Sequence, residues 1–232
     1  MKIVSTVLLF LVSSFSVAED LIDFEISIKQ MSSHYRAFIF FDGEEKYKKS
    51  LLSIASQASK YDEILEDKPQ LSVRWKAFIN QLNRSFEDGS AVHDVNLQAN
   101  WTLKSDELNN ALNEEIKNNL PKALDENPES QSYVRLVLLK MERILTSYMI
   151  LTNPVGSYGI SAETIDIDLQ VVEVTAMLER LNLENESLKR VARKWNFIKR
   201  VLIKYNTKVA PFVVLHSYDK MRKDIDQYLA NI

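Results

Sequence analysis

The side chains that could do chemistry are few. Of the three histidines, His34, His93 and His216, no two stand three or four residues apart, the spacing at which one helix face offers paired imidazoles to a metal. Glu-x-x-His pairs of the di-iron type are also missing, so no metal is expected. A haem could take a methionine from the first helix and a histidine from the last, which would use Met31 and His216. The register puts Met31 inward and His216 outward, so a core methionine and a surface histidine are expected, with no cofactor. No Gly-x-Ser-x-Gly elbow or phosphate-cradling glycine loop is present, and no catalytic residue is assigned. Gly156-Ser157-Tyr158-Gly159 reads as a turn-rich connector, or alternatively as a lip over a ligand pocket. Polar side chains that could converge on a ligand are Tyr35, Arg36, Tyr148 and Tyr158. The basic group that includes Lys189, Arg190, Arg193, Lys194 and Arg200 reads as a solvated helix face, with an anionic partner as the alternative.

The N-terminus predicts an exported chain. Lys2 supplies a positive start, Ile3 to Val12 is apolar apart from Ser5 and Thr6, and Ser16-Val17-Ala18 sets small residues before Glu19. A span would need about 20 apolar residues; this run is shorter and acidic residues come directly after it. Residues 1–18 are therefore expected to be a signal peptide cleaved after Ala18, leaving no stable membrane anchor and a periplasmic or secreted product. There is no cysteine, which excludes disulfides, a lipoprotein anchor and c-type haem attachment. The net charge of −3 gives no basis for binding nucleic acid.

The elements that must position these residues are helices. Apolar side chains recur at alternating steps of three and four: Phe24, Ile28, Met31, Tyr35, Phe38, then Tyr47, Leu51, Ile54, Ala58, Tyr61, Leu65. Asp42-Gly43 marks a break between them. Leu71 to Phe86 forms the next stripe, after Pro69 and before Asp88-Gly89. Residues 90–104 keep no clean period and read as a packed loop or short irregular helix, with Ser105 capping the helix of Leu108, Leu112 and Ile116. Asn127-Pro128-Glu129 predicts the start of the most buried helix, ended by Asn153-Pro154. Thr164 can cap the next helix, and 164–207 is either one helix or two with a turn at Asn182 to Ser187. Pro211 opens the last helix. The fold class is all-α, an antiparallel helical bundle of seven to eight helices in a single domain, 19–232.

The two halves, 19–126 and 127–232, are alike in outline. Each has a first helix centred on methionine (Met31; Met141), an interruption, and a later helix built around tryptophan (Trp75; Trp195), as a duplication would leave. The stretch from Met31 to Leu65 is similar to the helical periplasmic sensing domain of type IV pilus chemosensory receptors. Lys194-Trp195-Asn196-Phe197-Ile198, Tyr205-Asn206 and Pro211-Phe212-Val213 resemble segments of uncharacterised exported proteobacterial all-helical proteins. The chain departs from a receptor in having no second membrane span and no cytoplasmic signalling helix. The resemblance implies sensing of a small-molecule ligand or an envelope protein partner, without self-contained signal output. A non-catalytic binding role is therefore expected, with a structural or adaptor part in an envelope or pilus-type assembly as the alternative.

Overall fold

The computed structural model describes residues 2–87, 91–119, 127–128, 130–152, 166–181 and 184–231, with the backbone alone at 2–18, 87, 118 and 119. The elements are α1 (Lys2–Phe40), α2 (Glu45–Ala58), α3 (Asp62–Glu66), α4 (Pro69–Glu87), α5 (Val95–Asn119), α6 (Gln131–Thr152), α7 (Ile167–Arg180), α8 (Glu186–Ile203) and α9 (Pro211–Leu229). A 3-10 turn at Ser59–Tyr61 joins α2 to α3 into one bent rod, and no strand occurs among the described residues. The fold is all-α, as the spacing predicts. Among the described residues no helix is long and apolar enough to cross a membrane.

Local chemistry sets the ends. At the close of α1, Asp42 N–H donates to Ile39 O at 3.2 Å and Gly43 N–H reaches back to Phe38 O at 2.8 Å. This is the paired closure of a Schellman motif, with Asp42 (φ 50°) and Gly43 (φ 82°) left-handed. A side chain on Gly43 would also meet Val92 at 3.2 Å. The 164–207 region is two helices: Leu181 turns extended at ψ 145°, and Asn185 caps α8 by accepting from Ser187 N–H at 2.9 Å.

Three expected starts are corrected. α5 begins at Val95, so most of 90–104 is regular helix. Its cap is Asp94, whose Oδ1 accepts from Asn96 N–H at 2.8 Å and Leu97 N–H at 3.1 Å, while Ser105 lies mid-helix. The apolar period fails there because the buried face of α5 is itself polar. The start placed at Asn127-Pro128 falls at Gln131, with Ser130 Oγ accepting from Tyr133 N–H at 3.1 Å. α7 is capped by Asp166, which accepts from Leu169 N–H at 2.9 Å; Thr164 lies outside the described residues, as do Gly89, Asn153, Gly156 and Gly159.

Side-chain pairings give the topology. Ser32–Ser105 and Arg36–Thr102 set α1 antiparallel to α5; Lys140–Glu173 and Tyr133–Met177 do the same for α6 and α7, and Arg190–Gln227 with Lys194–Asp224 for α8 and α9. Between the halves the direction changes. Glu19–Ser132, Asp23–Arg135, Gln30–Glu142 and Ser33–Thr146 rise together, so α1 and α6 run parallel. Each half is thus four rods of alternating direction, and the two first helices form the seam between them.

The interior is divided accordingly. Leu21, Phe24, Ile28, Met31 and Tyr35 of α1 pack with Trp75, Phe78, Trp101 and Leu108 of the first half. Ile22, Ile26, Ala37 and Phe38, on the other flank of α1, pack with Met141, Tyr148, Trp195 and Met221 of the second. One helix therefore serves two cores. Each buried Leu, Ile, Phe or Met among them contributes about 1.5–3 kcal/mol, so both halves depend on α1. The indole N–H of Trp75 donates to Asp62 and that of Trp195 to Thr175, each at 2.9 Å.

Candidate functional site

Packed against both cores, α1 also carries a polar stripe that faces α5. Glu25, Lys29, Ser32 and Arg36 recur at steps of four, three and four, the same rhythm as the apolar stripes. On α5, Gln98, Thr102, Ser105 and Asn109 repeat those steps, and all four are buried. The stripes face one another. Ser32 and Ser105 hydroxyls lie 2.9 Å apart, and Arg36 donates to Thr102 Oγ1 at 3.3 Å. Buried polar groups need such partners, because an unpaired one costs about 1–3 kcal/mol.

Where the stripes separate, the helices α1, α5, α6 and α7 enclose a cleft of about 340 Å³. Lys29, Arg36, Arg143 and Lys140 bring cations to it, Asp106 and Glu173 bring carboxylates, and Trp101, Ile144, Ile150 and Val174 supply an apolar wall. Two pairs are closed. Arg143 forks onto the fully buried Glu25 with both contacts at 2.9 Å and also donates to Asn113 at 2.7 Å; Lys140 reaches Glu173 at 2.7 Å. Two groups are left open. Among the described residues, neither the Lys29 ammonium nor the Asp106 carboxylate makes a hydrogen bond or an ion pair.

Burial perturbs all three charges at the centre. It lowers the Lys29 ammonium, against the attraction of Glu25 and Asp106. It lowers the Arg36 guanidinium to about 10 and raises the Asp106 carboxyl, which Arg36 and Lys29 oppose. A desolvated cation with no ion pair among the described residues therefore lines a concave site.

The opposite side of the seam is built differently. Fully buried Glu142 accepts from Arg222 at 2.5 and 2.8 Å, Arg222 also reaches Asp219 at 3.1 Å, and Asp219 lies 3.9 Å from His34 Nε2. His34 Nδ1 is 2.8 Å from Gln30 O. Burial raises the Glu142 carboxyl and lowers the His34 imidazole, the latter helped by Arg222 and opposed by Asp219. A more open groove of about 690 Å³ runs past His34, Asp219 and Arg222.

The residues singled out in the sequence do not converge. Arg36 lines the cleft. Tyr35 stands behind it, its ring stacked on Trp101 at 4.3 Å, and burial raises its hydroxyl to about 12. Tyr148 is in the second core and accepts from Ala210 N–H at 2.8 Å. Tyr158 lies outside the described residues. Lys194 is tied to Asp224, which Arg190 also reaches at 2.8 Å, and Arg200 is exposed on the same helix. His216 is exposed, stacked on Phe212, while Met31 is core. What sequence reasoning missed is Lys29, Asp106 and the buried Glu25 and Glu142. The signal was available for the first of these: a polar stripe with helical spacing, which a reading of apolar stripes alone passes over.

No protein-family model, no curated protein and no solved structure matches the chain.

Proposed function

We propose that the protein binds a small anionic ligand, without transforming it, in the cleft between α1, α5, α6 and α7, and that it does so in the periplasm after removal of residues 1–18. The observation that carries this reading is Lys29, a deeply set ammonium that lines a concave site and meets no counter-ion among the described residues. The leader-like N-terminus supports the compartment, and the likeness of Met31 to Leu65 to a sensing domain agrees with the role. Titration calorimetry of residues 19–232 against a panel of small carboxylates and phosphates tests it. At least one is expected to bind, and Lys29→Met is expected to weaken it about 10–100-fold, the worth of one charged hydrogen bond. Binding unchanged in Lys29→Met, or no anion bound, overturns the reading.

A second reading, an adaptor in an envelope assembly, is favoured by one surface feature. Phe40, Val209, Phe212 and Val213 are exposed at one end of the molecule, where Phe41 meets Phe212 at 6.4 Å and Lys46 lies 5.3 Å over the Phe212 ring. Sedimentation of the Phe40→Ser, Phe212→Ser double variant against the parent checks this; assemblies lost only in the variant would favour the adaptor.

A further inference from the structure

The cleft opposes charged groups of two signs, and they come from different helices. α1 supplies Lys29 and, two turns on, Arg36, both cations. α5 supplies Asp106 and, one turn on, Asn109, whose Oδ1 accepts no hydrogen bond among the described residues while its amide nitrogen donates to Ser105 O at 2.7 Å. Lys29 and Asp106 face the same space without reaching ion-pair distance of one another. A simple anion drawn to Lys29 would lie beside the Asp106 carboxylate, and a simple cation drawn to Asp106 would lie beside Lys29 and Arg36. Either would satisfy one helix and offend the other.

We infer that the ligand is a zwitterion of the α-amino-acid class, its carboxylate held by Lys29 and Arg36, its ammonium by Asp106, and its side chain laid on Trp101, Ile144, Ile150 and Val174. The inference rests on the anion-binding reading of the same cleft and adds the second charge. At about 340 Å³ the space is near the lower end of ligand pockets, which run from about 300 to 1,000 Å³, and suits a free amino acid better than a nucleotide or a peptide. Charges of both signs set a fixed distance apart also give orientation, which a lone lysine does not.

Two matched series separate the possibilities by calorimetry on residues 19–232 at low salt. The first is L-leucine, 4-methylpentanoate and 3-methylbutylamine; the second is L-phenylalanine, 3-phenylpropanoate and 2-phenylethylamine. In at least one series the amino acid is expected to bind at least about tenfold tighter than either singly charged analogue. Asp106→Asn is expected to remove that preference while leaving the carboxylate analogue bound as well as before or better, and Asp106→Glu to restore part of it. Unchanged melting of each variant shows that it is folded. Equal binding of amino acid and carboxylate analogue, or a preference that survives Asp106→Asn, overturns the zwitterion and leaves anion binding standing. If carboxylates and amino acids all fail to bind the parent protein, both readings fall together.

Discussion

The two sides of the α1–α6 seam use similar side chains to opposite ends. On the side of α9, Glu142 and Asp219 are both paired with Arg222, and His34 lies 3.9 Å from Asp219, although Glu142 Oε2 accepts no hydrogen bond among the described residues. On the side of α5 and α7, Glu25 is closed by Arg143, yet Lys29 and Asp106 are left facing a cleft. A charge buried with its partner is stable only as a pair, and removing one member strands the other. A charge buried alone is a standing cost, kept where something outside the chain completes it. The contrast separates a paired network from the cleft proposed to bind a ligand without any appeal to cavity size, since the larger groove lies on the paired side.

The largest expected effect tests the paired side. Glu142→Ala leaves Arg222 buried with Asp219 as its remaining partner and should cost about 3–5 kcal/mol in chemical denaturation. A loss under about 1 kcal/mol would show that this face does not depend on its pairing. Opposite in sign is Lys29→Met, which replaces a desolvated ammonium by a side chain of similar shape. Without ligand it should stabilise the fold by about 0.5–2 kcal/mol, and a clear destabilisation would mean that Lys29 is already satisfied.

A smaller effect is read by pH. The buried His34 imidazole lies below its ordinary 6.5, so between that value and its folded-state value the unfolded chain takes a proton that the folded chain refuses. Its contribution to stability is present above 6.5 and is lost progressively as the pH falls. Glu142, raised by burial, slopes the other way, so the quantity to measure is the melting difference between parent and His34→Gln from pH 7.5 to 5. That difference should narrow or reverse on acidification. Smallest of all, Asp224→Asn should cost about 0.2–1 kcal/mol. Its hydrogen bonds from Lys194 and Arg190 outweigh burial and hold it below the usual carboxylate range, but those cations are partly exposed. A much larger loss would place it with Glu142.

Much of the fold was legible because most buried faces are apolar and follow the helical period. Phe24, Met31, Val134, Val191 and Ile225 are all core, and the break at Asp42-Gly43 stands where the turn residues put it. Legibility failed where burial is polar. Gln98, Thr102, Ser105 and Asn109 look like a solvated face, and Ser105 like a helix cap, until α1 is laid against them. The cleft itself was out of reach for the same reason. Lys29 and Asp106 are ordinary surface-type residues in a one-dimensional reading, and only the parallel packing of α1 on α6, which no local pattern encodes, encloses them. Tyr35 and Tyr148 stand out by type, and their rings fill the cores as large half-polar side chains commonly do.

Because α1 lends one flank to each interior, neither group of four rods can come apart while the other stays whole. Heating should therefore give one endotherm whose calorimetric and van't Hoff enthalpies agree. Whatever grips α1 at Lys29 would then raise the melting point of the entire molecule, distant Trp195 included, as a hand on the keel steadies both sides of a hull.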